Sequence, residues 1–259
     1  MRGRKRAAEM RNGFRIYDTH THVGRARHSL RAYSADELLR AMDRFGVERS
    51  LVLPFPSVDD EREAHDVVGR AVRAHPDRLA GACSVGPFSS EAALREEVGR
   101  AVAQYGFTAI KLQPQYQPLN PLHRHFEFYF ETVREHRLTL VVHTGDGVPL
   151  ALPSLWIVPA RRYPDLRIVL AHSGGPLFHM EAIVAAQVCE NICLELSSLA
   201  PHHVANILRH VPPSRLLIGS DLPESLSTEI GKVLELAIPD SDKDEILWRN
   251  PCRLFGGGA

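Results

Sequence analysis

The chain has 259 residues and no excess of either charge, with Lys plus Arg and Asp plus Glu at 31 each. Without a positive field, neither nucleic acid nor an anionic membrane is an expected partner. Cysteine is scarce: Cys83, Cys189, Cys193 and Cys252 show no C-x-x-C spacing. They read as reduced, small core residues of a cytoplasmic protein. No apolar run approaches the length that spans a bilayer. The basic start, Met1 to Arg6, is not followed by the apolar core of a secretory signal, so residues 1–13 read as a solvated basic tail. No strand is followed by G-x-G-x-x-G, which argues against an open dinucleotide-binding sheet. No linker or low-complexity stretch divides the rest, and 14–259 is expected to be one domain.

What the chain does have is histidine, fourteen in all. Two sit in Tyr17-Asp18-Thr19-His20-Thr21-His22-Val23-Gly24, at the end of an apolar segment that reads as a buried strand. Side chains alternate along a strand, so His20 and His22 share a face and could hold one metal ion together. Gly24 is expected to turn the chain out of that strand. Downstream, apolar runs recur at 49–53, 79–85, 107–112, 138–143, 166–172, 192–196 and 215–221. Between them lie helical patterns: one opened by a Ser34/Glu37 capping box, one from Ser90 to a Gly106 stop, one from Pro121 through His136, and one over 152–163 interrupted near Pro159. Strands that are apolar on both faces and alternate with helices favour a parallel sheet covered on each side. Eight such units in about 250 residues point to a (β/α)₈ TIM barrel.

In a barrel, the carboxyl ends of the strands make the site. His20 and His22, Lys111, His143, His172 and Asp221 all fall at such ends, whereas His28, His65, His75, His123, His125, His136, His179, His202, His203 and His210 fall on helices and loops. The Asp-x-His-x-His segment, Val142-His143-Thr144-Gly145, Ala171-His172-Ser173-Gly174-Gly175 and Gly219-Ser220-Asp221 together resemble the amidohydrolase superfamily. Ile110-Lys111-Leu112-Gln113-Pro114 and Asn250-Pro251-Cys252-Arg253-Leu254-Phe255-Gly256 resemble its amidohydrolase-related branch, which includes aminocarboxymuconate-semialdehyde and γ-resorcylate decarboxylases as well as hydrolases and lactonases. Branch members often carry histidine where this chain has Gln113.

The resemblance implies that His20, His22 and His143 bind one divalent metal, zinc before manganese or iron, with Asp221 as fourth ligand or as acid/base beside it. His172 would then be the catalytic histidine. A carbamylated Lys111 bridging two metals is the less favoured form. An unmodified Lys111, meeting an acidic substrate group or a structural neighbour, is preferred, and Arg25 is a further candidate for binding substrate. The implied activity is hydrolysis: a metal-activated water attacks an amide, ester or lactone of a small carboxylated substrate. The alternative is non-oxidative decarboxylation, a carboxy-lyase reaction, at the same site. Exposed apolar surface in the aromatic, proline-rich segment 113–130 is expected to support a homodimer.

Overall fold

A computed structural model describes residues 13–27, 29–56, 58–145 and 148–257. Apart from Gly13, the basic tail lies outside the described residues, as do His28 and the Asp146–Gly147 part of the loop after His143. Among the described residues nine strands are formed: β1 Tyr17–Arg25, β2 Ala32–Tyr33, β3 Arg49–Pro54, β4 Leu79–Cys83, β5 Ala109–Leu112, β6 Thr139–His143, β7 Arg167–Ala171, β8 Ile192–Glu195 and β9 Leu216–Leu217. They make one curled sheet in the order β2-β1-β3-β4-β5-β6-β7-β8-β9. Every neighbouring pair is parallel except β1–β2.

The helices are α1 Ala35–Phe45, α2 Glu61–Ala74, α3 Glu91–Tyr105, α4 Glu127–Glu135, α5 Ile157–Arg162, α6 Gly175–Val188, α7 Pro201–Leu208, α8 Leu226–Leu234, α9 Asp240–Asp244 and α10 Asn250–Phe255. The expected caps form. Ser34 and Glu37 close a capping box on α1, Ser90 caps α3, and Gly106 ends α3 at φ +67°. Two expectations need correcting. The helix expected from Pro121 starts only at Glu127, because Asn120 Oδ1 and His123 Nδ1 accept the N–H groups of Leu122 and His125 and hold a local turn instead. Pro159 does not interrupt α5, since it lies in the first turn, where its missing N–H is not needed. Among the described residues no helix is long and apolar enough to cross a membrane.

Strand side chains alternate between two apolar layers. Val52, Leu140, Val142, Ile168 and Leu170 pack outward under the helices with Leu38, Met42 and Val98. Leu51, Leu53, Ala80, Ala82, Ala109, Val141, Val169 and Ala171 form the second layer with Tyr17, Trp248 and Phe255. This period of two decides which residues face inward further along each strand. Lys111 follows Ala109, His143 follows Val141 and Glu195 follows Cys193, each two residues on. On β1 the parity should put His20 opposite Tyr17, but a register shift between Asp18 and Thr21 reverses it. The bulge gives the inward face to His20 and His22 and turns Val23 to the outer layer.

β1 does not end at its histidines. It runs on to Arg25, where Gly24 at φ +107° pairs with Tyr33 of β2. At the other edge, β9 is only two residues long, and the regular ladder alone does not complete the expected barrel. The chain beyond β9 nevertheless returns to β1. The Thr19 N–H donates to the Ile218 carbonyl at 3.0 Å, and the Ser220 and Asp221 N–H groups donate to the His20 carbonyl at 3.1 and 2.6 Å. Asp221 lies at φ +62°, a left-handed conformation that no strand continues.

Candidate metal centre

The strand ends bring His20, His22, Lys111, His143, His172 and Asp221 into one neighbourhood, with Glu195 added. The His20 and His172 rings lie 4.9 Å apart between centroids, and those of His143 and His172 lie 4.7 Å apart. Four imidazoles, Lys111 and Glu195 are buried, while the Asp221 side chain is 34% exposed.

Hydrogen bonds fix which nitrogen carries each proton. His20 Nδ1 lies 3.0 Å from Glu195 Oε2, and His22 Nδ1 lies 3.1 Å from the Pro54 carbonyl. A carboxylate and a carbonyl only accept, so both Nδ1 atoms are N–H donors and both Nε2 atoms keep a lone pair. Those lone pairs converge on Asp221 Oδ1, at 3.4 Å from His20 and 3.7 Å from His22. Two imidazole nitrogens and a carboxylate oxygen, with no proton to share among them, repel one another unless a cation sits near. Lys111 Nζ supplies one charge, 3.0 Å from His20 Nε2. Two neutral, oriented imidazoles and one carboxylate therefore suit a divalent metal.

A second cluster, His20, His172 and Glu195, also has its ligand atoms within 4.8 Å of one another. It fits a metal less well, because Glu195 is already saturated. Its Oε2 accepts from His20 Nδ1, from the His172 N–H at 3.1 Å and from Ser197 Oγ at 2.8 Å, and its Oε1 accepts from the Ser197 N–H at 2.6 Å. Since Ser197 gives its hydroxyl proton to Glu195, its oxygen accepts from His172 Nδ1 at 2.8 Å. His172 is therefore also the Nδ1–H tautomer, with a lone pair on Nε2.

Burial holds His20, His143 and His172 well below the ordinary imidazole range, and repulsion from a group that carries a like charge when protonated adds to it: Lys111 for His20, His172 for His143 and His20 for His172. Burial likewise takes His22 down to about 4. Lys111 falls to about 8, again by burial, opposed by Asp221 and Glu195. For Asp221, burial pushes upward but is outweighed by His20, His22, Lys111 and His143, and the carboxyl ends below its usual range.

The predicted substrate-binding residues part company here. Lys111 has no exposed surface and meets a structural neighbour, His20, rather than open space. Arg25 is exposed and lines a pocket of about 450 Å³ with Val23, Leu30, Phe55 and Val67. That pocket touches the centre through Phe55, which stacks on His22 at 4.8 Å. Gln113 donates its backbone N–H to Gln117 Oε1. Sequence reasoning overlooked Glu195, Ser197 and the clamp formed by Asp18, which accepts from the His20 N–H, the Ser220 N–H and Ser220 Oγ. The signal for Glu195 was available, since it ends its strand as the selected residues end theirs.

The amidohydrolase family model matches residues 17–257. The chain belongs to that family. By sequence alone no curated protein matches it. Among solved structures it is similar to 5-carboxyvanillate decarboxylase from Novosphingobium aromaticivorans, complexed with manganese, at 15% identity over 98% of this chain and 99% of that one, TM-score 0.73. It is also similar to 2,6-dihydroxybenzoate decarboxylase from Rhizobium, at 17% identity over 93% and 98%, TM-score 0.73. A probable 2-pyrone-4,6-dicarboxylic acid hydrolase from Acinetobacter baumannii aligns at 17% identity over 94% and 100%, TM-score 0.73. At these identities the likeness is one of fold. The family is metal-dependent, in keeping with the donor set found here.

Proposed function

We propose that this chain is a metal-dependent hydrolase acting on an amide, ester or lactone of a small carboxylated substrate. Its fold is read as a (β/α)₈ barrel that the segment after β9 completes against β1. His20, His22 and Asp221 are assigned to the metal, with His143 as the further ligand. A divalent cation held there, zinc first and manganese or iron otherwise, lowers the pKa of a water toward neutrality and polarises a carbonyl.

The chain's own residues then manage protons and charge. The part-exposed Asp221 takes a proton from the water and passes it to the leaving atom. His172 offers a second acceptor at Nε2, its Nδ1–H being spent on Ser197. Lys111 balances Asp221 and Glu195 from inside the sheet.

One observation favours hydrolysis: His172 gives its Nδ1–H to Ser197 and keeps an unprotonated Nε2, and Asp221 adds a part-exposed carboxylate, so both candidate proton carriers stand as acceptors. Activating water needs a proton acceptor, whereas protonating carbon after loss of carbon dioxide needs a donor. The carboxy-lyase alternative uses the same residues, with Asp221 or His172 returning a proton to carbon. It draws support from the decarboxylases among the similar structures.

Elemental analysis of tag-free protein tests the centre. About one metal ion per chain, lost in His20→Ala, supports it, and no metal after divalent ions are restored refutes it. Oxygen-18 uptake from water into product then supports hydrolysis, whereas carbon dioxide release without uptake overturns it in favour of the lyase.

A further inference from the structure

Glu195 touches neither pocket nor solvent, yet it holds more of the centre together than any assigned ligand. It is fully buried at the end of β8 and receives four hydrogen bonds from three different places in the chain. One comes from the His20 ring on β1, one from the backbone where His172 leaves β7, and two from Ser197. The packing around it is equally specific. A Cβ at Gly219 would lie 2.3 Å from Glu195 Oε1 and 2.8 Å from the His20 Cβ, so only glycine lets the segment leading to Asp221 pass.

A free imidazole chooses between two tautomers of similar energy, and only one presents its Nε2 lone pair toward Asp221. With no acceptor behind it, His20 is free to move its proton to Nε2 and donate to Asp221 Oδ1, 3.4 Å away, as soon as the Lys111 ammonium 3.0 Å from Nε2 turns aside or loses its proton. That arrangement would block the metal. A carboxylate at Nδ1 removes the choice, and it also makes the imidazole a better ligand. Through Ser197 the same carboxylate fixes His172: the Ser197 proton goes to Glu195, so the serine oxygen must accept from His172 Nδ1.

We propose that Glu195 is a positioning residue that sets His20, and through Ser197 His172, in the Nδ1–H tautomer, so that their Nε2 atoms face the centre. The inference rests on the metal-dependent reading for its purpose, but the tautomers themselves can be observed without any metal. In Glu195→Gln neither orientation of the amide reproduces the carboxylate. With its oxygen toward the Ser197 N–H, the amide NH₂ faces three donors. With its oxygen toward His20, the NH₂ faces the Ser197 N–H and the charge is gone.

The experiment is nitrogen-15 NMR of histidine-labelled, metal-free protein, together with zinc titration against a competing chelator and a thermal melt. In wild type, His20 and His172 are expected to show protonated Nδ1 and unprotonated Nε2. Glu195→Gln is expected to melt as a folded protein and to bind zinc 10–100-fold more weakly, as loss of such a partner typically does. A wild-type His20 found as Nε2–H overturns the proposal whether or not the variant folds. A folded Glu195→Gln with wild-type zinc affinity overturns it as well. Failure of wild type to bind any metal would remove the metal-dependent reading, while the tautomers would still decide the role of Glu195.

Discussion

Replacing Gly219 by alanine adds a single methyl group at the most crowded point of the centre. The added Cβ would meet Glu195 Oε1 at 2.3 Å, Glu195 Cδ at 2.7 Å and His20 Cβ at 2.8 Å, where ordinary contact begins near 3.4 Å. Something must therefore move by about 1 Å, a shift on the scale that makes overpacking cost about 1–3 kcal/mol. The His20 contact is at Cβ, which moves only with a backbone paired to β3, whereas the Glu195 contact is the end of a side chain, so Glu195 is the group that yields first, and its four hydrogen bonds go with it. Weakening charge-assisted bonds of this kind adds about 1.5–3 kcal/mol, and the two costs overlap. Roughly 3 kcal/mol in total lowers Tm by about 6–12 °C in a chain of this size. The control is Gly231→Ala, the same substitution inside α8, where nothing lies within 4 Å of the added carbon. There alanine is expected to stabilise by about 1 kcal/mol and raise Tm by about 2–4 °C. Calorimetry of both variants decides the matter. If Gly219→Ala melts within about 1 °C of wild type, the steric reasoning fails.

Two further outcomes follow from polar groups elsewhere, one half-buried and one buried. Glu97 accepts from His65 Nδ1 at 2.7 Å and from Arg100 Nη2 at 2.6 Å. Burial pushes its pKa up, but those partners outweigh it and bring the carboxyl down from 4.5 to about 2. Because the folded value is the lower one, the stabilisation is complete above about pH 4.5 and drains away as pH falls toward 2, about 1–3 kcal/mol after screening. Urea midpoints between about pH 5 and 3 should fall less steeply in Glu97→Gln than in wild type, and equal slopes would discard the assignment. Asn250 is fully buried and donates Nδ2 to the carbonyls of Pro213 and Leu216 at 2.7 and 2.8 Å. Asn250→Asp sets a carboxylate oxygen against both carbonyls and should cost about 2–4 kcal/mol, seen as a Tm at least about 4 °C lower; an unchanged melt would contradict it.

The fold was readable wherever local chemistry settles the outcome. The Ser34 and Ser90 hydroxyls and the glycine at 106 mark helix ends because each satisfies backbone groups within its own few residues. The apolar runs of β3 to β8 are continuous because both faces are covered. What escaped depends on partners far away. Nothing in Asp18-Thr19-His20 announces a bulge, since the register shift exists only against β3. The two-residue β2 is defined by its pairing with Gly24 and Arg25 rather than by its own sequence. β9 stops at Leu217 because Gly219 must pass Glu195 and Asp221 must adopt a positive φ, demands set by residues on other strands.

The centre divides along the same line. Its inner groups, His20, His22, His143, His172 and Asp221, are chemically conspicuous and stand at strand ends, so side-chain type and strand position sufficed to find them. Glu195 also ends a strand, but a lone glutamate is common, and its meaning comes from a bond to a histidine 175 residues away. The two strands involved are not neighbours in the sheet: β3 to β7 separate them in the strand order, and on the other side β9 and the segment that returns to His20 lie between them. Only a curled sheet brings such residues face to face. Neither spacing nor composition encodes which proton a histidine keeps, and here that proton determines whether its other nitrogen is a ligand or a donor. A strand-end rule that selects for histidine and aspartate therefore finds the groups proposed to hold a metal, yet misses the carboxylate proposed to orient them.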